Sequence, residues 1–349
     1  MDEPSPPEEF DLPPPTAPTN FTVALQGFSN REDADRFGNT IAMTVQSISC
    51  IMNLERLDGI TVAFDYDNAL IQLDRGFNAT IPLTRTNDGR LVGVGMAATV
   101  LRGGTVKAHL VLHAPYVMPL EEQGTPAFRQ ALYLVAHECG HIADLKTRDE
   151  AFPGVILQRS YVDFEEQLLA PTANALWDEY AACRASAPLG RDHTSLYEQG
   201  LTAVLPDARN RVNAAIRSYR RHRDISQLLQ EAGEPLCQPL RVAAYLVGHL
   251  DGLEDDFDLV PAARDMLAAS PYLSFVNRLR GIARQMWERR GHWNSLAEFE
   301  PLQAICRDLY ADGGMLIQKM PDGTTYVKVP FTLKTIPWPG CFSKIREIS

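Results

Sequence analysis

Five consecutive residues, His137-Glu138-Cys139-Gly140-His141, set two imidazoles four positions apart with a carboxylate beside the first. Residues four apart lie on one face of a helix, about 6 Å apart along its axis. Two imidazoles so placed can converge on one divalent cation. The neighbouring Glu138 then sits where it can take a proton from water polarised by that cation. The chain has 8 histidines in 349 residues, so chance produces this spacing on the order of once in a hundred such chains. Zinc suits this chemistry, one ion per chain, held by three protein groups with one position left open.

The surrounding pattern predicts the helix that the spacing needs. It runs from Pro126 to about Lys146, with Thr125 at the cap and Pro126 at the first helical position. On a helical wheel Phe128, Leu132, Val135, Cys139 and Ile142 share an arc of roughly 80°, with the two histidines on the opposite side. Gly140 costs about 1 kcal/mol in a helix interior, and it clears space beside His141.

The expected third ligand is Glu179, 179 − 141 = 38 residues downstream, on a helix over about Ala173 to Ala187. Ala175, Ala182 and Cys183 flank it, and small neighbours let a second helix come close. Glu165 and Glu166 compete for the role, but Pro171 is expected to break or bend a helix carrying them. Asp144 lies about 10 Å along the axis from His137, too far for the same ion. It reads either as a hydrogen-bond partner of His141 or as a solvated carboxylate.

Other candidates are weaker. Val92–Leu101 and Thr105–Leu112 flank Arg102-Gly103-Gly104, a hairpin signal. Lys107, His109, Val111 and His113 share one face of its second strand. That strand is expected either to face solvent or to serve as an edge for an extended peptide. Arg217, Arg220, Arg221 and Arg223 around His222 read as a solvated helix face with carboxylate partners. His193, Tyr180, Arg184 and Tyr197 are open candidates for stabilising an oxyanion.

The remaining elements predict an α+β chain, with strands and the motif helix in front and a mostly α-helical part behind. A helix is expected from Asn30 to Leu57 and a strand over Ile60–Phe64. Further helices fall at Pro206–Glu231, Leu240–Leu250, Val260–Ala269, Tyr272–Arg289 and Leu296–Tyr310. A second hairpin turns at Pro321-Asp322-Gly323. The domain reading is a disordered Pro-rich acidic tail over 1–19, a catalytic domain over 20–200, a helical subdomain over 201–312, and a hairpin and tail over 313–349.

The net charge of −11 argues against nucleic acid as main partner. No apolar run reaches the roughly 18 residues of a membrane span. Six cysteines form no C-x-x-C pair, and the start of the chain lacks a basic and an apolar leader segment. Free thiols and a cytoplasmic location are therefore expected.

On His137, Glu138 and His141, the helix that carries them and the hairpin before it, the chain resembles the zincin metallopeptidases. With Glu179 it looks like their gluzincin branch. The resemblance implies a zincin-like front part with a twisted antiparallel or mixed sheet. It implies His137, His141 and Glu179 as zinc ligands, Glu138 as general base and a peptide or protein as substrate. The gluzincin Asn-Glu-x-x-x-Asp pattern is absent, since Asp178 precedes Glu179 and Cys183 follows four residues later. The alternative function is a non-catalytic binding or regulatory protein on the same scaffold.

Overall fold

A computed structural model of the chain describes residues 12–79, 82–87 and 92–336. The chain is α+β, and its contacts separate two compact units, Met1–Thr86 with Gly93–Lys146 and Asn87–Val92 with Thr147–Ser349.

The first unit is built on a four-stranded sheet. Its elements are β1 (Thr22–Gln26), α1 (Arg31–Ile48), β2 (Leu57–Ala63), α2 (Tyr66–Gln72), β3 (Gly95–Arg102), β4 (Thr105–His113), the short α3 (Ala114–Val117) and α4 (Pro126–Ala151) as far as Lys146. The strand order is β1-β2-β4-β3, with β1, β2 and β4 parallel and β3 antiparallel at one edge. Asn30 caps α1, its side chain accepting from the Glu32 amide at 2.9 Å, and Phe37, Ile41, Val45 and Ile48 form the buried stripe. That helix stops at Ile48, short of the expected Leu57. Asn53 Oδ1 accepts from the Glu55 amide, a local turn bond that competes with helix.

The hairpin turns where the glycines are. Arg102 pairs with Thr105 across Gly103 at φ 56° and Gly104 at φ 81°, the two left-handed residues that a tight hairpin turn demands. The expected docking edge is not β4, however. It lies between β2 and β3, so neither of its sides is free, and residues 108–112 are all buried. An inner strand covered on both faces reads as a continuous apolar run.

Residues 1–11 of the expected tail lie outside the described residues. Of the rest, residues 12–15 are exposed but Thr16 and Ala17 are docked: Thr16 Oγ1 donates to the Ser49 carbonyl at 2.8 Å and accepts from the Leu54 amide at 3.0 Å, and Ala17 is buried.

The second unit is helical. It contains α5 (Phe164–Ser186), α6 (Thr194–His222), α7 (Ile225–Gly252), α8 (Pro261–Ala268), α9 (Leu273–Glu288) and α10 (Glu300–Asp312), then the hairpin β5 (Leu316–Lys319) and β6 (Thr325–Lys328). One apolar core joins α5 through α10, with Trp177, Leu205, Leu240, Leu250, Leu279 and Ile305 among its members. Pro171, Pro206, Pro235 and Pro239 all lie inside helices. An interior proline costs about 3 kcal/mol, while each buried leucine returns about 1.5–3 kcal/mol. Leu169 and Leu236, two residues before Pro171 and one after Pro235, are fully buried. Packing therefore holds these helices through the prolines. Among the described residues, no helix is long and apolar enough to cross a membrane.

Candidate metal centre

Helix α4 starts as its sequence predicts, with Thr125 Oγ1 accepting from the Phe128 amide at 3.0 Å. Three turns on, His137 and His141 face each other. Their Nε2 atoms are 3.2 Å apart and their ring planes stand at 89°. Metal–nitrogen bonds of about 2.0–2.1 Å at a tetrahedral angle put two nitrogens roughly 3.3 Å apart. The pair therefore already has the spacing of two ligands of one ion. His137 is buried, and so are Glu138, Gly140 and Asp144. The face that carries the histidines is thus covered as well as the apolar one. A solvated Asp144 is ruled out by its 2% exposure.

Glu179 sits in the fifth turn of α5. Asp163 caps that helix, accepting from the Glu166 amide at 2.9 Å. The end of α4 is tied to α5 by Arg148, which ion-pairs with Asp178 and donates to Asn174 at 3.3 Å. Arg148 follows His141 by seven residues, two helical turns on the same face. One ligand atom each from His137, His141 and Glu179 lie within 4.8 Å of one another, and these three form a group that could hold a metal ion.

The two rival glutamates are engaged elsewhere. Glu165 pairs with Arg307 at 2.5 Å. Glu166 takes two hydrogen bonds from Arg159 and one from the Val162 amide, and the Arg159 bonds hold its carboxyl below the usual range.

Helix α7 supplies what the sequence did not reveal. Its Gly248 and Gly252 lie so close to α5 that a Cβ on Gly248 would run into the Tyr180 backbone, and one on Gly252 into the Arg184 carbonyl. The small residues around Glu179 are expected to admit the histidine helix; the helix that comes close to α5 within this unit is α7, through its own glycines. One turn before Gly248, Tyr245 hydrogen-bonds Glu179. Desolvation of the phenol first, then the Glu179 charge and this bond, push Tyr245 far above the ordinary phenol range. Tyr245 thus donates to the carboxylate and fixes its orientation, the task of a residue behind a metal ligand. Nothing near Glu179 in sequence signals it.

Glu138 points at the sheet. A Cβ on Gly95 would stand 2.9 Å from Glu138 Oε1 and 3.0 Å from its Cγ, so the glycine leaves the room that the Glu138 side chain occupies and a larger residue would have to displace it. Further along this strand the Thr99 carbonyl and Leu101 amide bond outward to Arg75, at 3.2 and 2.8 Å. The two-residue period then turns the Gly95 and Ala97 backbone groups outward too, beside Glu138. The edge expected on β4 is therefore the start of β3.

His109 is no part of that edge. Its Nε2 bonds Thr61 Oγ1 at 2.9 Å, and its Nδ1 bonds Asp58 Oδ2 at 3.1 Å, while Arg102 grips Asp58 with two bonds of 3.0 Å. Burial lowers the His109 pKa; Asp58 opposes that shift and Arg102 adds to it.

The other oxyanion candidates lie in the second unit and are committed there. Tyr180 donates to Asp251 at 2.8 Å and accepts from Arg184 at 2.6 Å, and Asp251 also binds Arg280 and Arg284. Tyr197 accepts from the Cys183 thiol at 3.3 Å, and His193 is buried. In the basic cluster, Arg220 donates to the Val329 and Pro330 carbonyls and Arg217 to Lys334, tying down the segment after β6. Cys50, Cys139, Cys183, Cys237 and Cys306 are free thiols, and Cys341 lies outside the described residues.

Comparison with family models, with curated proteins and with solved structures finds no match to this chain. The functional reading therefore stands on the geometry of the group itself.

Proposed function

We propose that the protein is a zinc-dependent hydrolase of peptide bonds. The observation that carries this reading is the pairing of a metal-spaced group, His137, His141 and Glu179, with Glu138, whose carboxylate lies against Gly95 at the start of the edge strand β3. Three nitrogen and oxygen ligands suit zinc and leave one position for reactants. When bound, zinc supplies Lewis acidity toward a water and a carbonyl oxygen.

The chain's own residues do the rest. An extended peptide adds to the Gly95–Ala97 edge by backbone hydrogen bonds, which brings a scissile carbonyl beside Glu138. Water oxygen attacks the carbonyl carbon, and the carbonyl π pair moves onto its oxygen. Glu138 takes the water proton and returns it to the amide nitrogen as the C–N bond breaks. Products are one carboxylic acid and one amine, which leave as carboxylate and ammonium after the acid's proton passes to the amine.

Glu138→Gln tests the reading, because a carboxamide cannot accept that proton. The variant should retain zinc and melting temperature and lose cleavage of a quenched fluorescent peptide library by at least about 10²-fold. Wild-type turnover by the variant would remove Glu138 as base. A zinc-loaded wild-type protein that cleaves nothing would remove the hydrolase reading.

A further inference from the structure

At the C-terminal ends of β2 and β4, where parallel sheets commonly hold their ligands, three side chains gather beside the start of β3. Tyr66 opens α2 just after β2. His113 ends β4, its amide bonded to the Val94 carbonyl at 2.9 Å, immediately before Gly95. The Tyr66 and His113 rings stack at 5.7 Å, and Tyr116 packs on His113 at 5.3 Å. Gly95 in turn lies against the Glu138 carboxylate.

Tyr66 is only 2% exposed, yet its hydroxyl has no hydrogen-bond partner, and neither has the buried Nδ1 of His113. A buried hydroxyl left unbonded costs about 1–3 kcal/mol. Two such atoms on stacked rings are a poor design for stability and a good one for a ligand that brings its own oxygen. The phenol is also held protonated: burial first, then the Glu138 charge, raise its pKa well above the ordinary value, against the opposing pull of Arg85. Arg85 lies over the Tyr66 ring at 5.8 Å and is itself paired with Asp67 at 2.6 Å, so the ring is clasped from that side as well.

We infer that Tyr66 is a catalytic residue of the same site, its hydroxyl donating a hydrogen bond to the scissile carbonyl oxygen of a peptide as that oxygen gains charge. This rests on the hydrolase reading above and adds the oxyanion donor it lacks. No proton is transferred in the step; the O–H bond stays intact and only the hydrogen bond strengthens. His113 positions the phenol by stacking. Such a donor speeds the chemical step more than it strengthens substrate binding.

Tyr66→Phe on the full-length zinc-loaded protein tests it. The expected result is a kcat toward a quenched fluorescent peptide about 10²-fold lower, with KM within about twofold, zinc content unchanged and a melting temperature equal to or above wild type. Stability is the discriminating readout, because removing an unbonded buried hydroxyl does not destabilise the resting protein, whereas removing a structural one does. A wild-type rate in Tyr66→Phe, with Glu138→Gln inactive, overturns the inference and leaves the hydrolase reading standing. A melting temperature that falls in step with kcat makes the phenol structural and also overturns it. No turnover by the wild type removes the hydrolase reading and this inference together.

Discussion

Tyr245→Phe removes one oxygen from α7 and tests how the Glu179 carboxylate is held. The ring stays, so the packing of Gly248 on the Tyr180 backbone is untouched, and what is lost is the hydrogen bond to Glu179. Residues behind a metal ligand typically contribute 10- to 100-fold to affinity, about 1.4 to 2.7 kcal/mol. Free zinc buffered at 100 times the wild-type Kd stabilises the wild-type fold by about 2.7 kcal/mol. The same concentration stabilises a tenfold weaker variant by about 1.4 kcal/mol and a hundredfold weaker one by about 0.4 kcal/mol. With an unfolding entropy of about 2.1 cal/mol/K per residue over 349 residues, each kcal/mol shifts the midpoint by about 1.4 °C. Zinc should therefore raise the wild-type melting temperature by about 4 °C and that of Tyr245→Phe by about 2 °C or less. Scanning calorimetry in zinc buffer and in chelator reads both increments, and competition with a colorimetric chelator gives the affinities directly. Equal increments, or affinities within threefold, would refute the role of Tyr245 as the group that orients Glu179.

Two other outcomes follow from the same structure. Gly248→Ala drives a methyl into the Tyr180 backbone, which cannot swing aside, so stability in denaturant titration should fall by about 2–3 kcal/mol and zinc affinity should fall with it; a neutral substitution would contradict the close approach of α7 to α5. His109 should titrate by NMR below the ordinary value of about 6.5, because burial outweighs Asp58. A lowered histidine is neutral in the fold while the unfolded chain takes up a proton. Its contribution to stability is therefore full above pH of about 6.5 and is lost as the pH falls from there toward the folded pKa. Asp58→Asn should lower the midpoint further, and a midpoint above 6.5 would contradict the burial account.

What the sequence made legible was local. The cap at Thr125, the glycine turn between β3 and β4 and the face shared by His137 and His141 depend on neighbours within a few residues, and each lies where its pattern places it. Glu179 is singled out by its small flanks, Ala182 and Cys183, as a place for the histidine helix to approach, whereas the close approach seen on α5 is that of α7 through Gly248 and Gly252. Tyr245 lies 245 − 179 = 66 residues further on, and its bond to Glu179 exists only once α7 lies on α5. Tyr66 and Gly95 were hidden for the same reason, since the order β1-β2-β4-β3 brings the ends of distant strands together. That order also took the edge away from β4, whose alternation alone could not tell an inner strand from an outer one. At Pro171 the local rule favoured a break, and the buried residues on either side, Ala170 and Ala173, show the tertiary packing that prevailed.

Metal content measured by mass spectrometry after equilibration with zinc and gel filtration tests the central claim most directly. Wild-type protein should carry close to one zinc per chain, and His137→Ala, His141→Ala and Glu179→Ala, each shown folded by circular dichroism, should carry well under half of that, while Glu166→Ala stays near one. A wild-type chain that takes up no zinc, or Glu179→Ala retaining a full equivalent while Glu166→Ala loses it, would contradict the account.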